Sequence, residues 1–572
     1  VIAAAPLVLG EYQLALLIYV GLAAIVALGL VVLTGRAGLS SFGQAAFVGI
    51  SAYTSAILTT QAGVSPWLAL LPALALSGVV AWGFGAIMAR LSGHYLSLAT
   101  IAFGAAMYFL FGALDIIGGQ SGMSGIPPLS VGGVALTRAW PNYLIVWGVV
   151  LASLWMLQSV LASRMGRAIC ALKEHALMAE AMGIDTGAAK TAVFVLACVM
   201  AGFVGWFYAH VQRFVNPSPF SLAAGIEYVF MAVLGGAEML WGAVAGAAIV
   251  TLLKPILQAR LPGLLGAAGN FESVVFGGIV ILLFQFAADG LLPRLRDRLG
   301  WGEIRPRPVG ADGLPRRALA SGEVLSVSGA RKAFGAVQAN DGVGLAVAAG
   351  EIVALIGPNG AGKSTFFDLV SGVTRADAGS FRLAGREIGA MSSRQIAALG
   401  VSRSFQHVRL VGDLSVIDNV ALGAHRRGGR SLLAAMLGLG RAEEAAMLGC
   451  AMARLRDVGL ESLAWQKAGS LALGQQRILE IARALAADPI LLLLDEPAAG
   501  LRHAEKQALA GHIRALRAQG LAVLLVEHDM DFVMTLADRV VVMQFGRVIA
   551  SGTPQQVQND PVVQDAYLGA EP

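Results

Sequence analysis

Gly357-Pro358-Asn359-Gly360-Ala361-Gly362-Lys363-Ser364-Thr365 fits the pattern G-x-x-x-x-G-K-S/T. Glycines at this spacing let successive backbone N–H groups wrap the β- and γ-phosphates of a nucleotide, and a following helix adds its positive N-terminus. Asn359, Gly360, Ala361, Gly362, Lys363, Ser364 and Thr365 are therefore candidate phosphate contacts. In this arrangement Lys363 pairs with the phosphates and the Ser364 hydroxyl coordinates Mg²⁺. Four leucines, Leu491 to Leu494, run into Asp495-Glu496-Pro497. A carboxylate ending a buried strand is costly unless something compensates it. A Mg²⁺ ion reached through water resolves this for Asp495. Glu496, facing the γ-phosphate side, is placed to polarise an attacking water as general base. His528 follows the apolar run Leu521–Val526, a strand expected beside that of Asp495, and so becomes a candidate γ-phosphate contact. Gln406, in Ser404-Phe405-Gln406, carries little signal by itself.

The phosphate loop needs a strand before it and a helix after it, and the pattern supplies both. Glu351–Ile356 reads as a strand, and Ile490–Leu494 and Ala522–Val526 read as buried parallel strands. From Val324 onward short apolar strands alternate with helices, as in α/β architecture. Val416–Gln466, rich in Ala, Leu, Met and Arg, reads as a helical insert within a subdomain of about 412–470.

The preceding half is of another kind. The 572 residues are 56% hydrophobic and 13% charged. Only ten Lys/Arg and nine Asp/Glu occur through Leu292, against 58 charges in the last 280 residues. Residues 1–292 read as an all-α polytopic membrane domain, and 323–572 as a water-exposed α/β domain. Between them, 293–322 is an Arg- and Pro-rich linker suited to an anionic cytoplasmic membrane surface. The net charge of +5 calls for no nucleic-acid partner. Three scattered cysteines, Cys170, Cys198 and Cys450, have neither metal nor disulfide spacing.

Apolar runs approaching the roughly 20 residues needed to span a bilayer are Leu14–Leu33, Gln44–Thr60, Trp67–Ala89, Tyr95–Leu114, Tyr143–Leu161 and Thr191–Val211. Two shorter runs, Ile226–Leu234 and Trp241–Leu253, flank Gly235-Gly236, and Phe271–Ala288 is the last. Nine helices are expected, or ten if Val1–Leu9 is the tail of an earlier one rather than of a signal peptide. Counting Ile226–Leu253 as two crossings puts most Arg and Lys on the same side as the second half. Glu227, Glu238 and Asp115 are charged residues at membrane depth, where charge is costly and candidates for function arise. Gly242-Ala243-Val244-Ala245-Gly246 reads as a close-packing face.

Several further segments carry a resemblance. Leu471-Ala472-Leu473-Gly474-Gln475-Gln476-Arg477 precedes Glu480-Ile481-Ala482-Arg483-Ala484-Leu485. With Asp495-Glu496-Pro497-Ala498-Ala499-Gly500, Glu527-His528-Asp529-Met530 and the ending Asn559-Asp560-Pro561…Ala566-Tyr567-Leu568-Gly569, it is similar to the ATPase subunit of Liv-type branched-chain amino acid ABC importers. The resemblance implies a P-loop ABC ATPase domain with a helical subdomain, taking ATP and Mg²⁺. It makes Gln406 the loop residue coupling Mg²⁺ (with Ser364 and Asp495) to the membrane domain, and His528 the switch histidine. Phe334 becomes the aromatic under adenine, and Leu471, Ala472, Gly474 and Gln475 become the signature contacts to a partner's nucleotide. The general ABC pattern has Ser and Gly where Ala472 and Leu473 stand, and Asp where Arg502 stands. Hydrolysis at the site this signature completes is expected to be weakened.

The first half resembles the matching permease subunit. Gly38–Phe47, His94–Thr100 and Gly118-Gly119-Gln120-Ser121-Gly122 are similar to that family. Gly166–Gly183, the longest polar interval before the linker, looks like its coupling loop, with Glu180, Ala181 and Gly183 in a short helix and turn that dock on an ATPase. The resemblance implies a multi-pass subunit of the bacterial inner membrane with its ATPase in the cytoplasm. Expected partners are a second permease, a second ATPase, a periplasmic or lipid-anchored solute-binding protein and the bilayer. The expected solutes are branched-chain or related small amino acids, with urea, short amides or aromatic and other carboxylates as alternatives on the same scaffold. An exporter half-transporter also fuses membrane domain to ATPase in this order, but its long intracellular helices are not apparent here.

Overall fold

A computed structural model describes residues 4–88, 94–265, 290–298 and 304–568, apart from Arg305, Asp312, Leu319 and Ala320, with a few scattered residues between 275 and 285. The chain forms two compact units. One comprises Val1–Leu161, Thr186–Glu303 and Met436–Gly438; the other comprises Ala162–Asp185, Ile304–Ala435 and Leu439–Pro572.

In the first unit, after a single helical turn at Ala5–Val8, the helices are α1 (Glu11–Leu30, extended by a π-helical turn to Arg36), α2 (Gln44–Thr60), α3 (Pro66–Met88), α4 (His94–Ala113) and α5 (Ala139–Leu161). In chain order, α6 (Arg164–Glu174) and α7 (Ala176–Ala181) belong to the second unit; α8 (Thr186–Gln212), α9 (Leu222–Gly235), α10 (Leu240–Leu265) and α11 (Leu291–Arg298) belong to the first. Six helices among the described residues are long and apolar enough to cross a membrane. Eight of the nine apolar runs are helices. Most of the ninth, Phe271–Ala288, lies outside the described residues. Two boundaries move for local reasons. α5 begins four residues before Tyr143 because Pro141 is acceptable in a first turn, where its missing N–H costs no bond. The linker likewise opens with α11, whose Pro293 is its third residue.

Ile226–Leu253 does break into two helices. Gly236 has φ +121°, which favours glycine, and a Cβ on Gly235 would lie 1.7 Å from the Gly242 carbonyl oxygen. A Cβ on Gly246 would meet the Met231 carbonyl at 1.9 Å. The small-residue face thus permits backbone-to-backbone packing of α9 on α10.

The second unit contains two sheets. The antiparallel one has order β2-β1-β4-β5, with β1 Glu323–Phe334, β2 Val337–Ala348, β4 Ala378–Leu383 and β5 Arg386–Glu387. The other has order β6-β7-β8-β3-β9-β10, with β3 Ile352–Ile356, β6 Val401–Arg403, β7 Leu491–Asp495, β8 Ala522–Val526, β9 Arg539–Gln544 and β10 Arg547–Gly552. Its first five strands are parallel. β3, β7 and β8 are buried along their whole length, so they read as continuous apolar runs. α12 (Lys363–Val370) follows the phosphate loop, and α13 (Val416–Gly423), α14 (Arg441–Asp457) and α15 (Leu473–Ala486) surround a separate helical core. α16 spans His503–Ala518.

Candidate active site and coupling surface

β3 delivers the phosphate loop to the carboxyl edge of the parallel sheet, and Gly362 (φ +95°) turns it into α12. A Cβ on Gly362 would lie 2.1 Å from the Ala339 carbonyl oxygen, while one on Gly360 would meet nothing within 4 Å. The loop is thus closed on its protein side and open at Gly360. Asn359, Gly360 and the Ser364 side chain are exposed there. Lys363 Nζ donates to the carbonyls of Gly357 (2.6 Å) and Pro358 (2.9 Å), curling over the loop. Burial lowers its pKa, against the pull of Glu496 and Asp495.

β7 and β8 are parallel neighbours with Asp495 opposite Val526, so the ends of both strands open at one edge. Asp495 is buried; Ser404 Oγ accepts its N–H at 3.0 Å, and Arg403 donates to its Oδ2 at 3.3 Å. Its Oδ1 is buried with no partner. Burial raises the Asp495 pKa, with Arg403 opposing. A buried carboxylate oxygen left unsatisfied beside a phosphate loop fits a hydrated divalent cation. The donor set of Ser364, Gln406 and Asp495 is therefore chemically suited to Mg²⁺.

Glu496 has φ +48°, unusual for a residue with a side chain,. Gln406 Nε2 donates to its Oε1 at 3.3 Å, and His528 Nδ1 stands 3.9 Å from its Oε2. The structure thus brings Gln406, Glu496 and His528 together. Phe334 ends β1 with its ring half exposed and Lys332 Nζ 5.4 Å from its centroid. Ala472 caps α15 without a side-chain hydrogen bond, Gln475 Oε1 accepts the Ala472 N–H at 3.3 Å, and Leu471 is buried. A Cβ on Gly474 would touch the Glu505 carboxylate at 2.9 Å.

Three groups were not singled out from sequence. Arg403 also donates to Asp368 Oδ1 (2.5 Å) and Ser371 Oγ (3.0 Å), tying α12 to Asp495. Glu527 is buried and accepts the N–H of Ala498 (2.7 Å) and of His528 (3.1 Å), fixing the loops after β7 and β8. Arg477 donates to the carbonyls of Phe405 (3.0 Å) and Gln406, while Arg483 and Glu480 hold Arg409 through its carbonyl (2.6 Å) and N–H (2.9 Å). No short motif announces such contacts, although Arg477, Glu480 and Arg483 follow the i, i+3 spacing of one helical face.

Residues 162–185 share an apolar core with the loop after Gln406. Ala168, Cys170, Ala171, Met178, Ala179, Ala181, Met182 and Ile184 cluster with Phe405, Val411 and Leu422. Arg167, almost fully buried, pairs with Glu444 and with Asp418 (3.4 Å). Glu174 accepts the Gly412 N–H at 3.2 Å, and Asp185 pairs with Arg394. Ala181 is buried and Glu180 half-buried. Gly183 has φ +82°, and a Cβ there would lie 2.4 Å from Arg426 Cγ.

In the first unit, Glu227 is paired with Lys254 (2.9 Å), and Glu238 lies 3.8 Å from Arg36, which also donates to the Glu238 carbonyl at 2.7 Å. Asp115 sits in an exposed 3₁₀ turn. Sequence did not single out His210, which is buried in α8 between Ser55 Oγ (2.8 Å) and the Pro127 carbonyl (2.7 Å). A histidine facing a carbonyl through Nδ1 carries its proton there and accepts from the hydroxyl through Nε2.

Residues 12–284 match the family model described as branched-chain amino acid transport system / permease component. Residues 340–499 match the ABC transporter model, and 547–572 that of the branched-chain amino acid ATP-binding cassette transporter. The chain is similar to the high-affinity branched-chain amino acid transport ATP-binding protein BraF of Pseudomonas aeruginosa, with 42% identity over 43% of this chain and 98% of that protein. It is also similar to the corresponding LivG of Escherichia coli K12, with 41% identity and the same coverage of each. A crystal structure of a nucleotide-free ATP-binding cassette from an ABC transporter is 31% identical, covering 43% of this chain and 98% of that one, with a TM-score of 0.39. The permease match leaves the exporter alternative without support.

Proposed function

The chain belongs to the branched-chain amino acid ABC transporter family, a permease component continuous with an ATP-binding cassette, and on that footing we propose that it imports branched-chain or related small amino acids across the bacterial inner membrane. The substrate class rests on the names of its relatives and on the two branched-chain amino acid family models. The working assembly has a second permease, a second ATPase and a periplasmic or lipid-anchored solute-binding protein. The ATPase units face the cytoplasm.

ATP is bound by the loop from Asn359 to Thr365, with Lys363 on the β- and γ-phosphates and Phe334 under adenine. Ser364, Gln406 and Asp495 would hold Mg²⁺, whose charge offsets that developing on the phosphoryl oxygens. Glu496 takes a proton from water as that water attacks the γ-phosphorus, and the bond to the ADP oxygen breaks. His528 holds the γ-phosphate oxygens. Leu471, Ala472, Gly474 and Gln475 complete the nucleotide site of the opposite ATPase. Ala472 brings no hydroxyl to it, which favours pairing with a different ATPase over a homodimer.

One observation carries the coupling step. Phe405, next to Gln406, is packed against residues 168–184, which join two helices of the permease in sequence. Movement of Gln406 on nucleotide binding or release is thereby passed to that segment, with Glu180, Ala181 and Gly183 at its turn.

Uptake of labelled leucine into vesicles bearing the chain, its coded neighbours and their binding protein tests the substrate class. Isoleucine and valine should compete, while urea, acetamide and benzoate should not. Competition by one of the last three alone would move the substrate to that class.

A further inference from the structure

The segment after α11 does not merely tether the two units. Gly310 N–H donates to the Ala445 carbonyl at 2.9 Å. Its own carbonyl lies against Gly449 of α14, where a Cβ would come within 2.3 Å. Leu314 is buried in the helical core. Arg427 donates to the Leu314 and Pro315 carbonyls at 3.2 and 3.1 Å. Arg317 reaches Asp488 and the Ala398 carbonyl (3.0 Å). A chain bonded at this many points is part of the ATPase surface.

At the start of this strap stands Arg307. Its guanidinium donates to Asp418 Oδ1 at 2.5 Å and to the Ala162 carbonyl at 3.2 Å, lies 3.7 Å from Glu444 Oε1, and is 6.0 Å from the Trp465 ring. Asp418 and Glu444 are the same two carboxylates that Arg167 engages from the coupling segment. Two arginines and two carboxylates form a neutral cluster, with side-chain exposures of 2% for Arg167, 11% for Asp418, 16% for Glu444 and 27% for Arg307. Without Arg307 the cluster would carry a net negative charge in a site that water barely reaches. Asp418 would then depend on Ser415 and on an Arg167 contact at 3.4 Å.

We propose that Arg307 is a positioning residue for coupling: it completes the carboxylate pair that Arg167 grips, and so holds residues 162–185 on the helical subdomain. In this chain the joining segment becomes the third member of a joint that would otherwise have two. The role rests on the coupling function given above to residues 162–185, but the docking it describes can be measured without transport.

Amide hydrogen exchange on the full chain in its assembly reads that docking. Arg307→Ala should speed exchange across 164–181 by about tenfold, a local opening, with β3 and β7 unchanged. Arg307→Lys should restore part of the protection, because a single ammonium can serve one carboxylate but not span both. Basal ATP hydrolysis should stay at the parent rate while uptake per ATP falls. If Arg307→Ala disrupts assembly, Arg307→Gln keeps much of the stem and carries the same test. Unchanged exchange across 164–181 in the soluble, assembled variant overturns the proposal. Faster exchange without any uptake by the parent assembly would leave it standing and instead count against the transport reading.

Discussion

Arg477, on the helix that opens with Ala472-Leu473-Gly474, donates to the Phe405 carbonyl at 3.0 Å. One guanidinium thus fastens the segment proposed to face a partner's nucleotide to the loop carrying Gln406. Phe405 in turn packs against residues 168–184, the proposed coupling segment. Replacing Arg477 by Ala leaves two carbonyls without a charged donor, a loss of about 1–3 kcal/mol. Stimulation of ATPase by loaded binding protein should fall more than basal ATPase. Equal loss of both would mean that Arg477 merely supports the fold.

Glu496→Gln keeps the hydrogen-bonding shape but removes the carboxylate proposed as the base. ATP affinity should be retained while hydrolysis slows by about 10²–10⁴-fold, the usual contribution of a general base. Equilibrium nucleotide binding and single-turnover phosphate release check this. A second, unaltered ATPase in the assembly would mask part of the effect in steady state.

Gly183→Ala is a finer probe of the proposed coupling turn than a proline. The positive φ strains any residue with a Cβ, and the approach to Arg426 requires that side chain or the turn to shift. Uptake should drop with ATP hydrolysis largely preserved; Gly183→Pro and Glu180→Arg should abolish uptake. Normal uptake in all three would move coupling to another segment.

His425 introduces a pH dependence at the same surface. Burial, with Arg164, Arg167 and Arg426 nearby, holds its pKa down to about 3, against 6.5 ordinarily. The unfolded chain therefore takes up this proton first as pH falls. The stabilising contribution is complete above about pH 6.5 and is lost progressively between there and about 3; the part lost by pH 5.5 is about 1 kcal/mol. Thermal stability of the assembly should fall between pH 7.5 and 5.5, and His425→Gln should flatten that fall. An identical pH slope in both proteins would contradict it.

Elements with a strong local pattern were legible in the sequence. Gln44–Thr60 forms a helix over those residues, and the split of Ile226–Leu253 follows from two adjacent glycines. The phosphate loop, the Asp495 strand and its neighbour before His528 fell where apolar runs and a glycine spacing put them. What the sequence did not disclose are contacts between residues far apart in the chain. Arg403 with Asp495, Arg477 with Phe405 and Arg167 with Asp418 are separated by roughly 70 to 250 positions. An arginine on a helix has the same local pattern whether it faces water or a buried carbonyl. Arg307 illustrates the limit: its composition suggested a membrane-facing linker, whereas its guanidinium is engaged by protein carboxylates.

Ala472 predicts unequal nucleotide sites. Ala472→Ser should raise hydrolysis at the site it completes, since a hydroxyl on the γ-phosphate contributes about 1.5–3 kcal/mol when the acceptor is charged. Steady-state ATPase of the assembly, with the other site disabled, reads this directly. No gain would contradict a handicap at that site due to Ala472.

The most direct measurement uses liposomes holding ATP and Mg²⁺, with labelled leucine and the binding protein outside. The chain assembled with its coded permease and ATPase partners should accumulate leucine, and Lys363→Ala in this chain should abolish or sharply reduce the accumulation. ATP consumption without accumulation, or accumulation that ignores Lys363, would contradict ATP-driven import by this chain. Full accumulation by the chain and binding protein alone would contradict the proposal that it works with different partners.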